Sequence, residues 1–430
     1  MSSGLDSTSR RVLIAGGGVA GLELMLALRE LAPDQIDVTV LAAEEEFVYR
    51  PLSVAEPFAL GEVRHYSVPD LCAKHGATFS LGRLQGVDGV RRVALLDAGE
   101  QRYDELVVAL GADRRAVFGD ALTFFDQRST PGYRELLERV AEGRVGSIAF
   151  LVAPGVVWPF PLYELALMTS AFATDRGREV KLSLATPASA PLALFGERAR
   201  QAMADLLTER GIEVHAGYDV RTTGEGRVLL EPDGPSLQPD HIVALPRLVG
   251  PRLGGLPHDP DGFIPVDEHG RVEGVEGVWA AGDCTTFPIK QGGIAAQQAD
   301  TVAAALAAEA GTGVEPAPFR PVMRGMLLTG RAPTWLRASI AEGRAADSVA
   351  AGNALWWPPA KIAGDRLAPA LGEIDAHQGA QDPADGVPVE VELETRPPAA
   401  PGVKRRAIIA HVRGESEPQI LDLGTGGHGL

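Results

Sequence analysis

Arg11 to Ala15 (RVLIA) is an apolar run without alternation, the pattern of a strand covered on both faces of a parallel sheet. It leads through GGGVAG into a segment whose Leu24, Leu28 and Leu31 share one helical face, and Pro33 ends that segment. Asp37 to Leu41 (DVTVL) is β-branched and predicts a second strand. The opening stretch therefore reads as a βαβ unit with its glycines in the first turn.

The same alternation returns at Ser147. SIAFLV (147–152), VKLSLA (180–185) and Ile212 to His215 predict strands, while Tyr163 to Ala173 and Glu197 to Arg210 predict helices. Two Rossmann-like units make a partial internal repeat, the second inserted into the first or following it. From Val278 come a strand, a Gly-Asp turn and an Ala-rich helix to about Glu309. Residues 315–372 hold three of the five tryptophans, Trp335, Trp356 and Trp357. From Asp375 the chain is rich in Gly, Pro and Asp apart from short runs such as VEVEL and RAIIAHV, so a loosely ordered tail with one hairpin is expected.

The chain has 430 residues, and 57 acidic against 40 basic side chains give a net charge of −17. That balance argues against nucleic acid, whose binding needs a basic surplus, and against attachment to anionic lipid by charge alone. Cys72 and Cys284 are the only cysteines. They exclude a disulfide scaffold and make the reducing cytosol the expected compartment. The nine histidines are scattered, so no metal site is expected. MSSGLDSTSRR has no apolar core of the kind a secretory signal carries. The longest apolar stretch, Leu151 to Ala173, is interrupted by Pro154, Pro159, Pro161 and Glu164, which disfavours a spanning helix.

Gly16-Gly17-Gly18-Val19-Ala20-Gly21 fits G-x-G-x-x-G between strand and helix. Gly16 permits the tight turn, Gly18 lets a pyrophosphate approach the backbone, and Gly21 lets helix and strand pack closely. The acidic residue that bonds the adenosine ribose belongs at the end of the second strand, where this chain has Ala42. Glu44 is the substitute, with a solvated acidic turn of Glu44, Glu45 and Glu46 as the alternative. VVALGAD (107–113) is a strand ending in a small-residue turn, and Ala280-Ala281-Gly282-Asp283 is a second one.

Together, over about residues 10–372, these motifs resemble the two-dinucleotide-binding-domain flavoproteins, and among them the sulfide:quinone oxidoreductase and type II NADH dehydrogenase group. FVYRPL (47–52), PLYE (161–164), PIKQGG (288–293) and LWWPPAKIAG (355–364) support the resemblance. It implies FAD, with its pyrophosphate on Gly16, Gly18 and Gly21 and on Val19 and Ala20 at the helix start. It places Arg50, Pro51, Ala109, Gly111 and Gly282 among the cofactor-binding residues, and Asp283 by the ribityl and pyrophosphate groups. The helix after Gly282-Asp283 is expected to start near Gly292 to Ile294 and to aim its N-terminus at the flavin C2=O. Lys290 either adds to that field or is a solvated loop lysine.

The second unit departs from this pattern. Enzymes of the superfamily that take electrons from NAD(P)H carry G-x-G-x-x-G-x-E there, but counting back from Glu164 the glycine positions hold Leu162, Pro159 and Val157. A nicotinamide nucleotide bound in the usual way is therefore not expected. Aligning PLYE with the sulfide enzymes puts Trp158 where they have a catalytic cysteine, so the sulfide frame lacks its sulfur chemistry. Trp158 is either a flavin-facing wall or core packing. Glu164 is either a proton carrier near the flavin, matching the family's glutamate, or a carboxylate favoured by its helix dipole. The tryptophan-rich segment is expected to be buried against the flavin domain rather than to lie in a membrane interface.

The expected fold is α/β: a tail (1–10), an FAD-binding domain (11–120 and 265–312), a second Rossmann-like domain (121–264), a C-terminal interface region (313–374) and a loose tail (375–430). The expected function is FAD-dependent oxidoreduction from a small electron donor to an acceptor such as a quinone, with Glu164 and Lys290 as catalytic residues. The alternatives are an NAD(P)H:acceptor enzyme of the type II NADH dehydrogenase kind, and a flavin-binding electron-transfer or regulatory protein without turnover. Contact with a membrane is expected to be at most peripheral, at its inner face, and a homodimer is compatible with the sequence.

Overall fold

The structure is a computed structural model that describes residues 9–341, 344–378, 407–410 and 419–422. Two parallel sheets carry it, as the repeated strand–helix pattern predicts. In the first, β1 (Arg10–Ala15) turns into α1 (Val19–Leu31) and the chain returns in β2 (Ile36–Ala42), β3 (Thr78–Leu81) and β4 (Glu105–Val108). β1 pairs with β2 from Arg10↔Ile36 to Ala15↔Leu41 and with β4 from Val12↔Glu105 to Ala15↔Val108. This central position explains its unbroken apolar run: Val12 to Ala15 are buried, with neighbours on both edges and both faces.

The second sheet is built from β5 (Leu122–Thr123), α2 (Thr130–Ala141), β6 (Ser147–Leu151), α3 (Phe160–Asp175), β7 (Lys181–Thr186), α4 (Glu197–Glu209), β8 (Ile212–Ala216) and β9 (His241–Ala244). Its order is β5–β9–β6–β7–β8. The chain then re-enters the first sheet through β10 (Val278–Ala280), giving the order β10–β4–β1–β2–β3, and continues into α5 (Gly292–Glu309), which packs along α1. The second unit is thus inserted into the first. α3 starts three residues before the expected Tyr163 and is buried along most of its length, which is why its sequence shows little amphipathic contrast.

The tryptophan-rich region forms a third, antiparallel sheet of β11 (Val322–Leu327), β12 (Thr334–Ala341) and β13 (Arg344–Ala351). Trp335 is buried and meets Trp356 edge-on at 4.6 Å, while Trp357 is 60% exposed. The sequence predicts burial of this region against the flavin domain, and it packs on the second unit as well. α5 meets it where Gln297 Nε2 donates to the Val322 carbonyl. The second unit meets it too, because the Ala199 N–H donates to Ser348 Oγ and Gly325 gives way to Phe160 and Phe195. The sheet therefore braces both Rossmann units.

Residues Met1–Leu371 form one compact unit and Gly372–Leu430 another. In the second, Ala407–Ala410 and Gln419–Asp422 pair antiparallel, from Ala407↔Asp422 to Ala410↔Gln419, so one hairpin-like ladder lies in the predicted tail. VEVEL and most of the tail fall outside the described residues.

Gly21 sits where α1 crosses β1, and a Cβ there would collide with the Gly16 carbonyl. Gly21→Ala is expected to destabilise the protein by about 1–3 kcal/mol through overpacking, measured as a lowered urea midpoint at unchanged m-value.

Candidate active site

The turn from β1 to α1 is shaped by close backbone approach. Gly16 has φ +134°, and a Cβ on it would strike the Ala109 carbonyl at the end of β4. Gly18, by contrast, faces open space and is the N-cap of α1, with no side chain capping the first turn. The free N–H groups of α1 are left for an anion. Ahead of them lies a cavity of about 1380 Å³, larger than a site for a drug-sized ligand.

The cavity brings together nearly every residue singled out in the sequence. Gly16, Gly18, Val19, Ala20, Glu44, Arg50, Pro51, Ala109, Gly111, Glu164, Gly282, Asp283 and Lys290 all line it. Gly21 does not line it; its contact is with Gly16 behind the turn. Glu44 lines the cavity and, among the described residues, has no hydrogen-bond or ion-pair partner.

α5 starts at Gly292, within the expected range, with Gln291 as N-cap accepting from the Ile294 N–H at 2.9 Å. Lys290 is not a solvated loop lysine. It is 6% exposed, donates from Nζ to the Thr285 carbonyl and lies 3.9 Å from the Phe263 ring centroid. Burial lowers its pKa to about 8, although Asp283, Cys284 and Asp259 oppose the shift. Burial raises the Asp283 carboxyl above its ordinary value against the pull of Lys290 and Arg114.

Two arginines that the sequence reading missed, Arg114 and Arg128, join Arg50 on the same cavity. Asp126 is 2% exposed and gathers three guanidiniums: Arg114 NH1 at 2.7 Å, Arg128 Nε at 2.9 Å and Arg50 Nε at 3.7 Å. Burial pushes the Asp126 carboxyl up, but Arg128 and Arg114 outweigh it and hold the carboxyl below its usual range. Burial, with repulsion from Arg114 and Arg128, lowers the Arg50 pKa. Three positive charges on one carboxylate leave a surplus facing the cavity, which suits a polyanion.

Glu164 is fully buried on α3. Its Oε2 pairs with Lys361 Nζ at 2.7 Å and its Oε1 accepts the Leu328 N–H at 2.8 Å. Lys361 Nζ also donates to the Pro51 carbonyl at 3.0 Å. Burial raises the Glu164 carboxyl, and Lys361 lowers it in part. Glu164 is the fifth residue of α3, past the turn where a helix dipole acts strongly, so a cation and not the dipole is its partner. Lys361 lies in LWWPPAKIAG, quoted above only as a segment; a lone lysine among apolar residues was the available signal.

In the second unit, Trp158 stacks on Phe160 at 5.2 Å, and both rings meet Phe195 at 5.7 and 5.8 Å. Trp158 also lines the cavity, so it is at once wall and packing. This cluster sits at the loop between β6 and α3 where a glycine-rich turn would receive a pyrophosphate. Neither cysteine lines the cavity. Burial pushes the Cys72 thiol up to about 11 and the Cys284 thiol to about 12, so neither is a ready thiolate.

Removing Lys361 leaves a buried carboxylate without its counter-charge, which costs about 3–5 kcal/mol when that group is ionised. Glu164 already has a folded pKa above its unfolded value, so the fold favours its protonated form, and Lys361→Met raises that pKa further. The deficit of the variant is therefore full at high pH and shrinks as pH falls through the Glu164 pKa. Urea titrations at pH 8.5 and 5 measure it.

Residues 164–307 match the family model described as pyridine nucleotide-disulphide oxidoreductase. The curated sulfide-quinone reductase of Aquifex aeolicus is 26% identical over 236 residues, which are 52% of this chain and 54% of that protein. The chain thus spans about half the length of this curated relative. Among solved structures, the sulfide:quinone oxidoreductase of Aquifex aeolicus superposes with a TM-score of 0.72 at 19% identity, covering 80% of this chain and 87% of that one. NDH2 from Plasmodium falciparum in complex with NADH superposes with a TM-score of 0.62 at 13% identity, covering 87% and 95%. The glycine turn, the arginine cluster and the size of the cavity fit FAD. The chain thus carries a pyridine nucleotide-disulphide oxidoreductase match over residues 164–307, is similar to a curated sulfide-quinone reductase, and shares the fold of sulfide:quinone oxidoreductase and NDH2.

Proposed function

We propose that this protein is an oxidoreductase that passes electrons from a small reductant other than NAD(P)H to an acceptor of the quinone class. The observation that carries this reading is a single cavity with an anion cradle around Gly18 and a buried proton-holding pair, Glu164 and Lys361. FAD bound there supplies the relay between two-electron donors and one- or two-electron acceptors.

The chain's own groups do the rest. The α1 N-terminus and the Arg50, Arg114 and Arg128 guanidiniums bind the diphosphate, and Asp283 and Glu44 take its flanking sugar hydroxyls. Lys290 and the N-terminus of α5 hold positive potential at one side of the cavity, which favours negative charge there. Glu164 keeps a proton at neutral pH more readily than an exposed carboxyl, and Lys361 Nζ, 2.7 Å away, is its exchange partner. These groups belong to residues 11–120, 121–264, 265–312 and 313–374, so we assign the site to the interface of the FAD-binding domain, the second Rossmann-like domain and the C-terminal region.

The aromatic cluster of Trp158, Phe160 and Phe195, together with Pro159 and Pro161, supports a donor other than a nicotinamide nucleotide. The two buried thiols, away from the cavity, support a donor that needs no persulfide carrier. Among the described residues no helix is long and apolar enough to cross a membrane. We place the protein in the cytoplasm, at most peripherally attached at the inner membrane face, where it meets a quinone.

Anaerobic stopped-flow reduction of the yellow holoprotein tests the reading. NADH and NADPH are expected to bleach the flavin below about 0.1 s⁻¹, against a median enzyme turnover of about 10 s⁻¹. The chemically reduced protein is expected to be reoxidised by a soluble quinone analogue at a turnover-like rate. Fast bleaching by NADH overturns the donor assignment, and slow reoxidation by every quinone tried overturns the acceptor. Arg128→Ala is expected to weaken FAD retention about tenfold, the loss of one charge-assisted contact, read by flavin fluorescence on dilution.

A further inference from the structure

Lys361 does not stand alone on its loop. The seven residues Lys361 to Leu367 cross from the cavity to the outer side of α1 and α5 and are tied down at almost every step. At the cavity end, Lys361 holds Glu164 and the Pro51 carbonyl, and the Ile362 N–H donates to Tyr49 Oη at 3.0 Å. The Ile362 side chain lies over the start of α5, where a Cβ on Gly292 would be 3.0 Å from it. In the middle, Gly364 passes so close to Glu23 that a Cβ would collide with the Glu23 carboxylate.

At the far end sits a clasp. Glu23 on α1 is fully buried and accepts the N–H groups of Arg366 and Leu367 at 2.7 and 2.8 Å, which begin α6 (Leu367–Gln378). The Arg366 guanidinium forks between Glu30 on α1 and Asp300 on α5, at 2.8 and 2.7 Å. A buried glutamate that caps a helix of another segment, with an arginine tied to two helices, is more anchoring than a surface strap needs.

We propose that Arg366 and Gly364 are positioning residues: with Glu23 and Asp300 they hold the 361–367 strap taut, and the strap seats Lys361 on Glu164. The clasp thereby acts on the proton affinity of a carboxyl it does not touch. The proposal rests on the reading of Glu164 as a proton-holding group beside the cofactor. The groups that face Glu164 are Lys361 on the strap and the Leu328 N–H after β11. Those that face the clasp are Glu23 and Glu30 on α1, Asp300 on α5, Asp365 and Arg366 on the strap, and Arg324 on β11, whose pKa burial lowers against the opposing pull of Asp365. Burial and Glu23 push Asp300 up to about 7, so the clasp gains negative charge as pH rises through neutrality.

The test uses the FAD-loaded protein with no donor or acceptor. Its two readouts are hydrogen exchange at the strap amides and the pH at which the flavin reduction potential changes slope. Lys361→Met sets the reference: loss of the cation moves the Glu164 inflection to higher pH. Arg366→Gln and Gly364→Ala, which perturb the strap by different means, are each expected to move it in the same direction by a smaller amount. Both are expected to speed exchange of the Ile362 amide at least tenfold, and Arg366→Lys is expected to restore part of both effects. A merely structural clasp would lower thermal stability and speed exchange at Arg366 and Leu367 while leaving the Ile362 amide and the inflection where they are, and that result overturns the proposal. Should Arg366→Gln not fold, Gly364→Ala decides. If Lys361→Met itself leaves the inflection unmoved, the flavin-linked role of Glu164 fails, and the proposal falls with it; the Ile362 exchange then reports separately whether the strap is held.

Discussion

A carboxylate with no access to water must have a partner, and much of this structure can be read from the partner that Glu164 takes. Desolvation of an ionised side chain costs several kcal/mol even after relaxation. Glu164 meets that cost with one cation, Lys361, and one backbone N–H, Leu328. The three groups come from α3, from the strap and from the residue after β11, so the pair joins the second Rossmann unit to the C-terminal region. Lys361 adds the first unit through the Pro51 carbonyl. A single ion pair in the cavity wall thus links three parts of the chain, and the third sheet, which leans on both units, holds two of them together.

The same logic recurs around the cavity with the charge reversed. Asp126 is a buried carboxylate with more cations than it needs, so it does not neutralise Arg50, Arg114 and Arg128 but arranges them. The surplus charge is useful only against a polyanion, and the uncapped N-terminus of α1 faces the same space. Lys290 extends the positive potential toward α5, where burial makes its charge labile. Several of the buried charges in this protein are therefore grouped rather than scattered through the core. Asp126, Glu164 and Lys290 gather on or beside the cavity, whereas Glu23 and Glu105 are buried elsewhere and serve packing between elements.

How much of this was legible in the sequence follows from what each feature depends on. β1, the glycine turn and α1 were readable because local sterics dictate them: a strand buried on both faces, a backbone contact that excludes a Cβ, and a helix start, all within about twenty residues. Glu164 stood out as a charge in an apolar run. Its partner did not, because Lys361 is 197 residues away and no local pattern links the two. Arg114 and Arg128 look like ordinary surface arginines until folding brings Asp126 between them. The tryptophan segment was legible only in part. Its short apolar runs are strands covered on one face by two domains, and sequence periodicity cannot say which two.

The second Rossmann unit keeps its fold while its first turn departs from the glycine pattern. Its sheet keeps the parallel order β5–β9–β6–β7–β8, and α3 keeps the glutamate that faces the cavity. What differs is the turn between β6 and α3, where Val157, Pro159 and Leu162 stand at glycine positions and Trp158 stacks on Phe160. A glycine turn leaves room for a diphosphate, whereas stacked aromatic rings fill that room and stiffen the loop. The rings do not cost the unit its stability, because Phe160 and Phe195 pack under Gly325 of the third sheet. At this turn the unit makes a domain contact. It also carries Glu164, and the contacts from that carboxyl through Lys361 to the clasp on α1 and α5 tie the unit to the rest of the fold at a point where an unpaired buried charge would be costly.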